Sequence, residues 1–116
     1  MSLMLIPADS LKTSTPEEGA PAPERLIWGD PRFLTWDMET QPGDLYAGVW
    51  QSTPGKWRIE YSEWEYFRML WGVSVVTEEN GEAHSFGPGD SAILRPGFKG
   101  TWEVLQTTRK EYVIRL

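Results

Sequence analysis

The sequence predicts an all-β domain closed into a small barrel, and three observations carry that prediction. Short runs of strand-forming residues alternate with turn signals about every 8 to 12 residues. No apolar run keeps a helical period beyond a turn or two. Seven tryptophans in 116 residues supply the bulk with which a small barrel fills its interior and covers its ends. Trp50, Trp57, Trp64 and Trp71 are spaced seven apart, the period of a coiled-coil seam. Pro54-Gly55 interrupts that run and only one seam position repeats, so each tryptophan is assigned to its own strand or strand end.

Residues 1–24 form a separate compositional region. Pro7, Pro16, Pro21 and Pro23 sit among Ser, Thr, Glu, Gly and Ala, which predicts an extended or partly disordered arm. Leu3 to Pro7 carries a second reading, as a strand added to a sheet edge of its own chain or a partner's. Residues 25–116 form the barrel. Arg32–Asp37 and Leu45–Gln51 flank the turn signal Gln41-Pro42-Gly43-Asp44, and Thr53-Pro54-Gly55 separates them from Lys56–Ser62. Trp64–Trp71 and Val73–Glu78 follow as two strands. Asn80-Gly81 predicts a type I′ turn that closes Val73–Glu78 onto Glu82–Phe86, because both residues accept positive φ. Gly87-Pro88-Gly89-Asp90 leads into Ser91–Leu94, and Pro96-Gly97 leads into Thr101–Leu105 and Thr108–Leu116.

Composition narrows the function classes. A chain of this length is one domain with one core. Asp and Glu number 17 against 11 Lys and Arg, a net charge of −6, with no basic patch. Nucleic acid and anionic lipid are therefore not expected partners. The absence of cysteine removes disulfides, thiolate chemistry and zinc–thiolate sites. No stretch approaches the roughly 20 apolar residues that span a bilayer. The opening Met1-Ser2-Leu3-Met4-Leu5-Ile6-Pro7 lacks the basic flank of a secretory signal. With no cysteine in the chain, a cytoplasmic setting is expected.

Two segments carry a family resemblance: Glu65-Tyr66-Phe67-Arg68-Met69-Leu70-Trp71-Gly72 and Gly89-Asp90-Ser91-Ala92-Ile93-Leu94-Arg95-Pro96-Gly97. They resemble the two signature strand–turn segments of a cupin, the RmlC-like jelly-roll barrel or double-stranded β-helix. Gly100-Thr101-Trp102-Glu103-Val104 and Thr108-Arg109-Lys110-Glu111-Tyr112-Val113 extend the match toward the small single-domain cupins grouped with (S)-ureidoglycine aminohydrolase. The resemblance runs from about Gly48 to Leu116. It implies a jelly roll with a pocket inside the barrel and, in metal-binding members, a His-x-His pair just before the glutamate plus one further histidine. Here the paired positions hold Ile59 and Tyr61, or Arg58 and Glu60 with the longer gap, and Gly100 stands where the further histidine would be. The one histidine, His84, lies outside both segments. No metal and no cofactor are expected, because Glu65 alone is too small a donor set. The aminohydrolase reaction depends on a metal and does not carry over with the family name.

Alternation then supplies a site. With Glu65 pointing inward, as the resemblance implies, Phe67 and Met69 share its face. On the last strand Lys110, Tyr112 and Ile114 share one face, and Trp102 and Val104 are internal on the strand before. A lone buried charge is costly, so Glu65 and Lys110 are expected to pair where other cupins hold a metal. Tyr61 or Tyr112 is expected within hydrogen-bond reach. Glu65, Lys110, Tyr61 and Tyr112 are the candidate catalytic groups. Trp50, Trp57, Phe67, Met69 and Trp102 are the candidate ligand-binding wall. The bland alternative makes the Glu65–Lys110 pair structural, or places both at a solvated rim. His84 is expected to be an exposed strand residue, Asp90 to bond its own turn, and Arg95 to be a surface arginine. Three functional readings follow. The first is binding of a small polar or carboxylate metabolite without metal. The second is a metal-independent isomerase or ureide-type hydrolase in the same pocket. The third is a structural or regulatory dimer whose barrel is filled by side chains. A homodimer is expected in each.

Overall fold

The computed structural model describes residues 2–41 and 43–116. Among the described residues a helical turn, α1 (Ser10–Thr13), and a 3-10 turn at Pro23–Arg25 accompany nine strands. These are β1 (Glu17–Gly19), β2 (Leu26–Gly29), β3 (Phe33–Gln41), β4 (Leu45–Ser52), β5 (Gly55–Glu60), β6 (Trp64–Glu78), β7 (Ala83–Phe86), β8 (Ser91–Leu94) and β9 (Lys99–Arg115). Every pairing is antiparallel.

Two long strands, β6 and β9, run beside each other along their length and belong to both layers of the barrel. The first half of β6 and the second half of β9 lie in one layer, with β4, β3 and β1 beyond β9 and β8 beyond β6. Their other halves lie in the second layer, with β5 and β2 on one side and β7 on the other. The inner faces meet in a single core. Phe67, Met69, Leu94 and Tyr112 come from the first layer, and Trp57, Val76, Trp102 and Val104 from the second. This is the jelly roll that the sequence predicts.

The two-for-one strands are the main departure from expectation. Trp64–Trp71 and Val73–Glu78 are one strand, and Thr101–Leu105 and Thr108–Leu116 are joined in β9. What looks like a break is a pair of facing irregularities. The β6–β9 register shifts between Met69 and Trp71, between Trp71 and Val73 and between Val73 and Ser74. Such bulges bend strands without ending the sheet. Gly72 sits at this corner with φ +94°, and a Cβ there would lie 2.2 Å from the Thr107 carbonyl oxygen. Beneath it, buried hydroxyls satisfy one another. Trp102 Nε1 donates to Ser74 Oγ at 3.2 Å, Ser74 Oγ and Thr108 Oγ1 are 2.7 Å apart, and Thr108 Oγ1 donates to the Gln106 carbonyl at 3.0 Å.

The hairpin at Asn80-Gly81 also differs. Gly81 alone takes positive φ there, at +94°. Gly81 N–H donates to the Glu78 carbonyl at 2.8 Å, while the Asn80 side chain accepts from Glu82 N–H at 2.9 Å. The hairpin is therefore a longer loop with a left-handed glycine, not a two-residue type I′ turn. In the arm, Leu3 to Pro7 forms no strand within the chain; Glu17–Gly19 pairs with Phe33–Thr35 instead. Leu26–Gly29 adds an edge strand on β5 that the sequence pattern did not announce.

The corner glycine gives a test against an open one. Gly72→Ala combines left-handed strain, about 1–2 kcal/mol, with overpacking of about 1–3 kcal/mol. Gly81→Ala carries only the strain, since nothing lies within 4 Å of its would-be Cβ. Urea unfolding should show Gly72→Ala to be the more destabilised by at least about 1 kcal/mol. Equal losses would mean that the corner relaxes freely.

Candidate functional site

Strand register decides which side chains meet in the barrel. Glu65 stands opposite Ile114 on β9, whereas Lys110 stands opposite Met69. The lysine must therefore run along the strand face, past Phe67, to reach the carboxylate. Lys110 Nζ lies 2.8 Å from Glu65 Oε2, with the glutamate side chain 2% exposed and the lysine 7%. The second carboxylate oxygen, Oε1, accepts from the Tyr61 hydroxyl at 2.5 Å. Around the ammonium stand three rings, Trp102 at 4.4 Å, Trp50 at 4.8 Å and Phe67 at 5.0 Å. Ring faces are electron-rich, so they add to what the carboxylate supplies.

Above this pair is an open cavity of about 430 Å³. Trp50, Trp57, Tyr61, Glu65, Trp102, Lys110 and Tyr112 line it. Phe67 and Met69, read from sequence as part of the wall, lie underneath in the core, 0% and 1% exposed. Alternation puts them on the right face but cannot say how deep they sit. The walls also contain Phe33, Thr35, Asp37, Tyr46, Ile59 and Glu63, which the sequence reading left out. Asp37 accepts a very short hydrogen bond from the Tyr112 hydroxyl. The signal for Asp37 was its place at the end of the predicted strand Arg32–Asp37. Its partner lies 75 residues away, so no local pattern reveals the contact.

Both phenols are held protonated. Burial pushes Tyr61 well above the usual tyrosine range, and the charge and hydrogen bond of Glu65, then the charge of Glu63, push further. Burial raises Tyr112 too, followed by the hydrogen bond and charge of Asp37 and weaker effects of Glu65 and Glu17. At neutral pH the arrangement therefore offers two neutral O–H groups, each donating to a carboxylate.

A transition metal does not fit this donor set. Both oxygens of Glu65 are engaged, one by an ammonium that would repel a cation. Ile59 offers no donor atom. At Gly100 a Cβ would meet the Thr77 carbonyl oxygen at 2.0 Å, so the backbone leaves no room for a histidine side chain. His84 is exposed on β7, with Nε2 2.7 Å from Glu78 and 3.9 Å from Glu82. His84, Glu78 and Glu82 are not among the residues that line the cavity. Asp90 accepts from Gly87 N–H at 2.8 Å and fixes its own turn.

The family model described as the EutQ-like cupin domain matches residues 39–112. No curated protein matches the chain in sequence. Among solved structures, a protein of unknown function of the DUF861 family from Pseudomonas syringae pv. tomato is similar, with TM-score 0.78 and 25% identity, over 86% of this chain and 43% of that one. The EutQ protein of Clostridium difficile is similar at TM-score 0.66 and 18% identity, over 73% of this chain and 63% of that one. Ectoine synthase from P. lautus is similar at TM-score 0.65 and 16% identity, over 72% and 63%. This chain thus spans less than half of the Pseudomonas protein and less than two thirds of the other two.

Two outcomes test the site. Lys110→Met leaves Glu65 buried without its cation and should cost about 3–5 kcal/mol in urea unfolding. Adding Glu65→Leu should recover at least about 2 kcal/mol of that loss; no recovery would mean that the two charges do not depend on each other. Tyr61 supplies the pH test. Its folded pKa lies above its unfolded value, so its contribution is complete below about pH 10 and is lost as pH rises beyond that. Tyr61→Phe should therefore flatten the fall in melting temperature above about pH 10. An unchanged alkaline slope would remove Tyr61 from the account.

Proposed function

The chain belongs to the EutQ-like cupin family, and from that premise we propose that its barrel binds a small polar or carboxylate-bearing metabolite without a metal. One observation carries this reading. The cavity has room for a metabolite, and its floor is a neutralised, hydrogen-bonded Glu65–Lys110–Tyr61 group instead of a metal cage. An apolar wall with a few convergent polar groups is the ordinary form of a small-molecule site. The remaining space argues against a barrel plugged by its own tryptophans, which a purely structural role would favour.

A second reading rests on Tyr61. Its phenol stands beside a carboxylate and an ammonium, the types of group that acid–base chemistry of the isomerase or ureide-hydrolase kind uses. The likeness of the Gly100–Val104 and Thr108–Val113 segments to the ureidoglycine aminohydrolase group motivates the ureide part of that reading. The protein is proposed to work as a cytoplasmic homodimer. Leu70, Trp71 and Ile93 are each more than a third exposed, apolar surface of the kind that a contact between copies would cover.

Thermal melts against a metabolite panel, each with and without a chelator, test the binding proposal. A bound ligand stabilises by about 2.7 kcal/mol at a hundred times its dissociation constant. The expected result is a rise in melting temperature that chelation leaves unchanged. Stabilisation that requires an added divalent ion would overturn it.

A further inference from the structure

Resting on the binding reading above but replacing its carboxylate alternative, we propose that the cavity selects a ligand carrying a protonated amine or quaternary ammonium over one carrying a carboxylate. The charge on the lining comes first. Three carboxylates, those of Asp37, Glu63 and Glu65, face one ammonium, that of Lys110. The cavity therefore carries an excess of negative charge before any ligand enters.

Among the described residues that line the cavity, the one cation is already committed. Lys110 donates to Glu65 at 2.8 Å and is otherwise enclosed by aromatic faces. The tyrosine hydroxyls are committed as well, Tyr61 to Glu65 and Tyr112 to Asp37. A carboxylate arriving in this space would meet no free positive charge and would sit among like charges. An ammonium would meet the reverse. Among the described residues, neither Asp37 nor Glu63 has a basic side chain within salt-bridge distance. Glu63 holds one oxygen to its own turn through Ser62 N–H at 3.0 Å, and Asp37 spends one on Tyr112. Each has a second oxygen for an N–H donor.

The aromatic wall points the same way. Phe33, Trp50 and Trp57 form a tilted cluster with centroids 5.0 to 6.2 Å apart, and all three border the cavity. Tilted rings around a space are the surface that organic cations prefer, because each face is negative and no ordered water must be kept. This protein already uses such faces on its own cations. Lys110 is held this way, and Arg109 lies 4.7 Å from the Trp71 ring and 5.1 Å from Trp36. The shared negative field is also felt by the phenols, whose upward shifts follow burial first and the neighbouring carboxylates next.

The test uses four probes of similar size on the intact chain: propylammonium, tetramethylammonium, propionamide and propionate, followed by tryptophan fluorescence and calorimetry. The expected result is binding of both ammonium ions at least ten-fold tighter than the neutral amide, with propionate weakest. Affinity for the cations should fall as salt rises. Glu63→Gln should weaken the ammonium ions at least three-fold while leaving propionamide unchanged. Asp37→Asn should do the same, with circular dichroism to check that the loss of the Tyr112 contact leaves the barrel folded. Propionate binding as tightly as propylammonium would overturn the proposal and leave the binding cavity standing. Binding of none of the four would overturn both.

Discussion

An ammonium and a carboxylate held 2.8 Å apart, both almost wholly out of water, are the constraint on which the rest of the barrel turns. Neither group is tolerable there alone, since an unpaired charge in such a setting costs several kcal/mol. Glu65 and Lys110 sit on β6 and β9, the two strands that both layers share. The pair therefore ties together the two elements that the remaining strands join. The offset between them explains why a long flexible side chain is needed. Lys110 starts opposite Met69 and must cross Phe67 to reach the acid. Its methylenes lie along apolar surface on the way, as lysine stems readily do.

The same two strands carry the corner of the molecule. Facing bulges near Gly72 let β6 and β9 pass from one layer to the other without losing pairing. The polar groups exposed by that bend are not left orphaned. Ser74, Thr108 and the Trp102 indole bond one another and finish on a backbone carbonyl. A buried polar network of this kind is stable only when fully connected, and this one is. The corner thus delivers Trp102 to the cavity with its ring over the Lys110 ammonium. Fold and site are joined through that one side chain.

Much of this was legible in the sequence, for a physical reason. Side chains in a strand alternate with period two, so a single inward residue assigns its neighbours. That logic puts Glu65, Phe67 and Met69 on the inner face of β6, Lys110 and Tyr112 beside them on the second half of β9, and Trp102 and Val104 inside on its first half, where all are buried. It also brings the acid and the amine together. Three kinds of feature escape it. Depth does not show in alternation, so Phe67 and Met69 read as wall but lie in the core. A bulge reads like a turn, so Gly72 and the Gln106–Thr107 stretch each seemed to end a strand. Contacts between distant strands leave no local mark, so Asp37, which accepts from a tyrosine 75 residues on, went unnoticed. Short edge strands such as Glu17–Gly19 and Leu26–Gly29 are exposed along their length and give no apolar period to read.

The central claim is that an ammonium, that of Lys110, neutralises the buried Glu65 in place of a metal ion. Side-chain ¹H–¹⁵N correlation spectroscopy of the Lys110 ammonium tests it most directly. The account predicts a resolved, slowly exchanging NH₃⁺ signal, shifted upfield by the surrounding rings and unmoved by zinc, manganese or chelator. A signal that is absent because its protons exchange freely with water, or that disappears on addition of one of these ions at stoichiometric amounts, would contradict it.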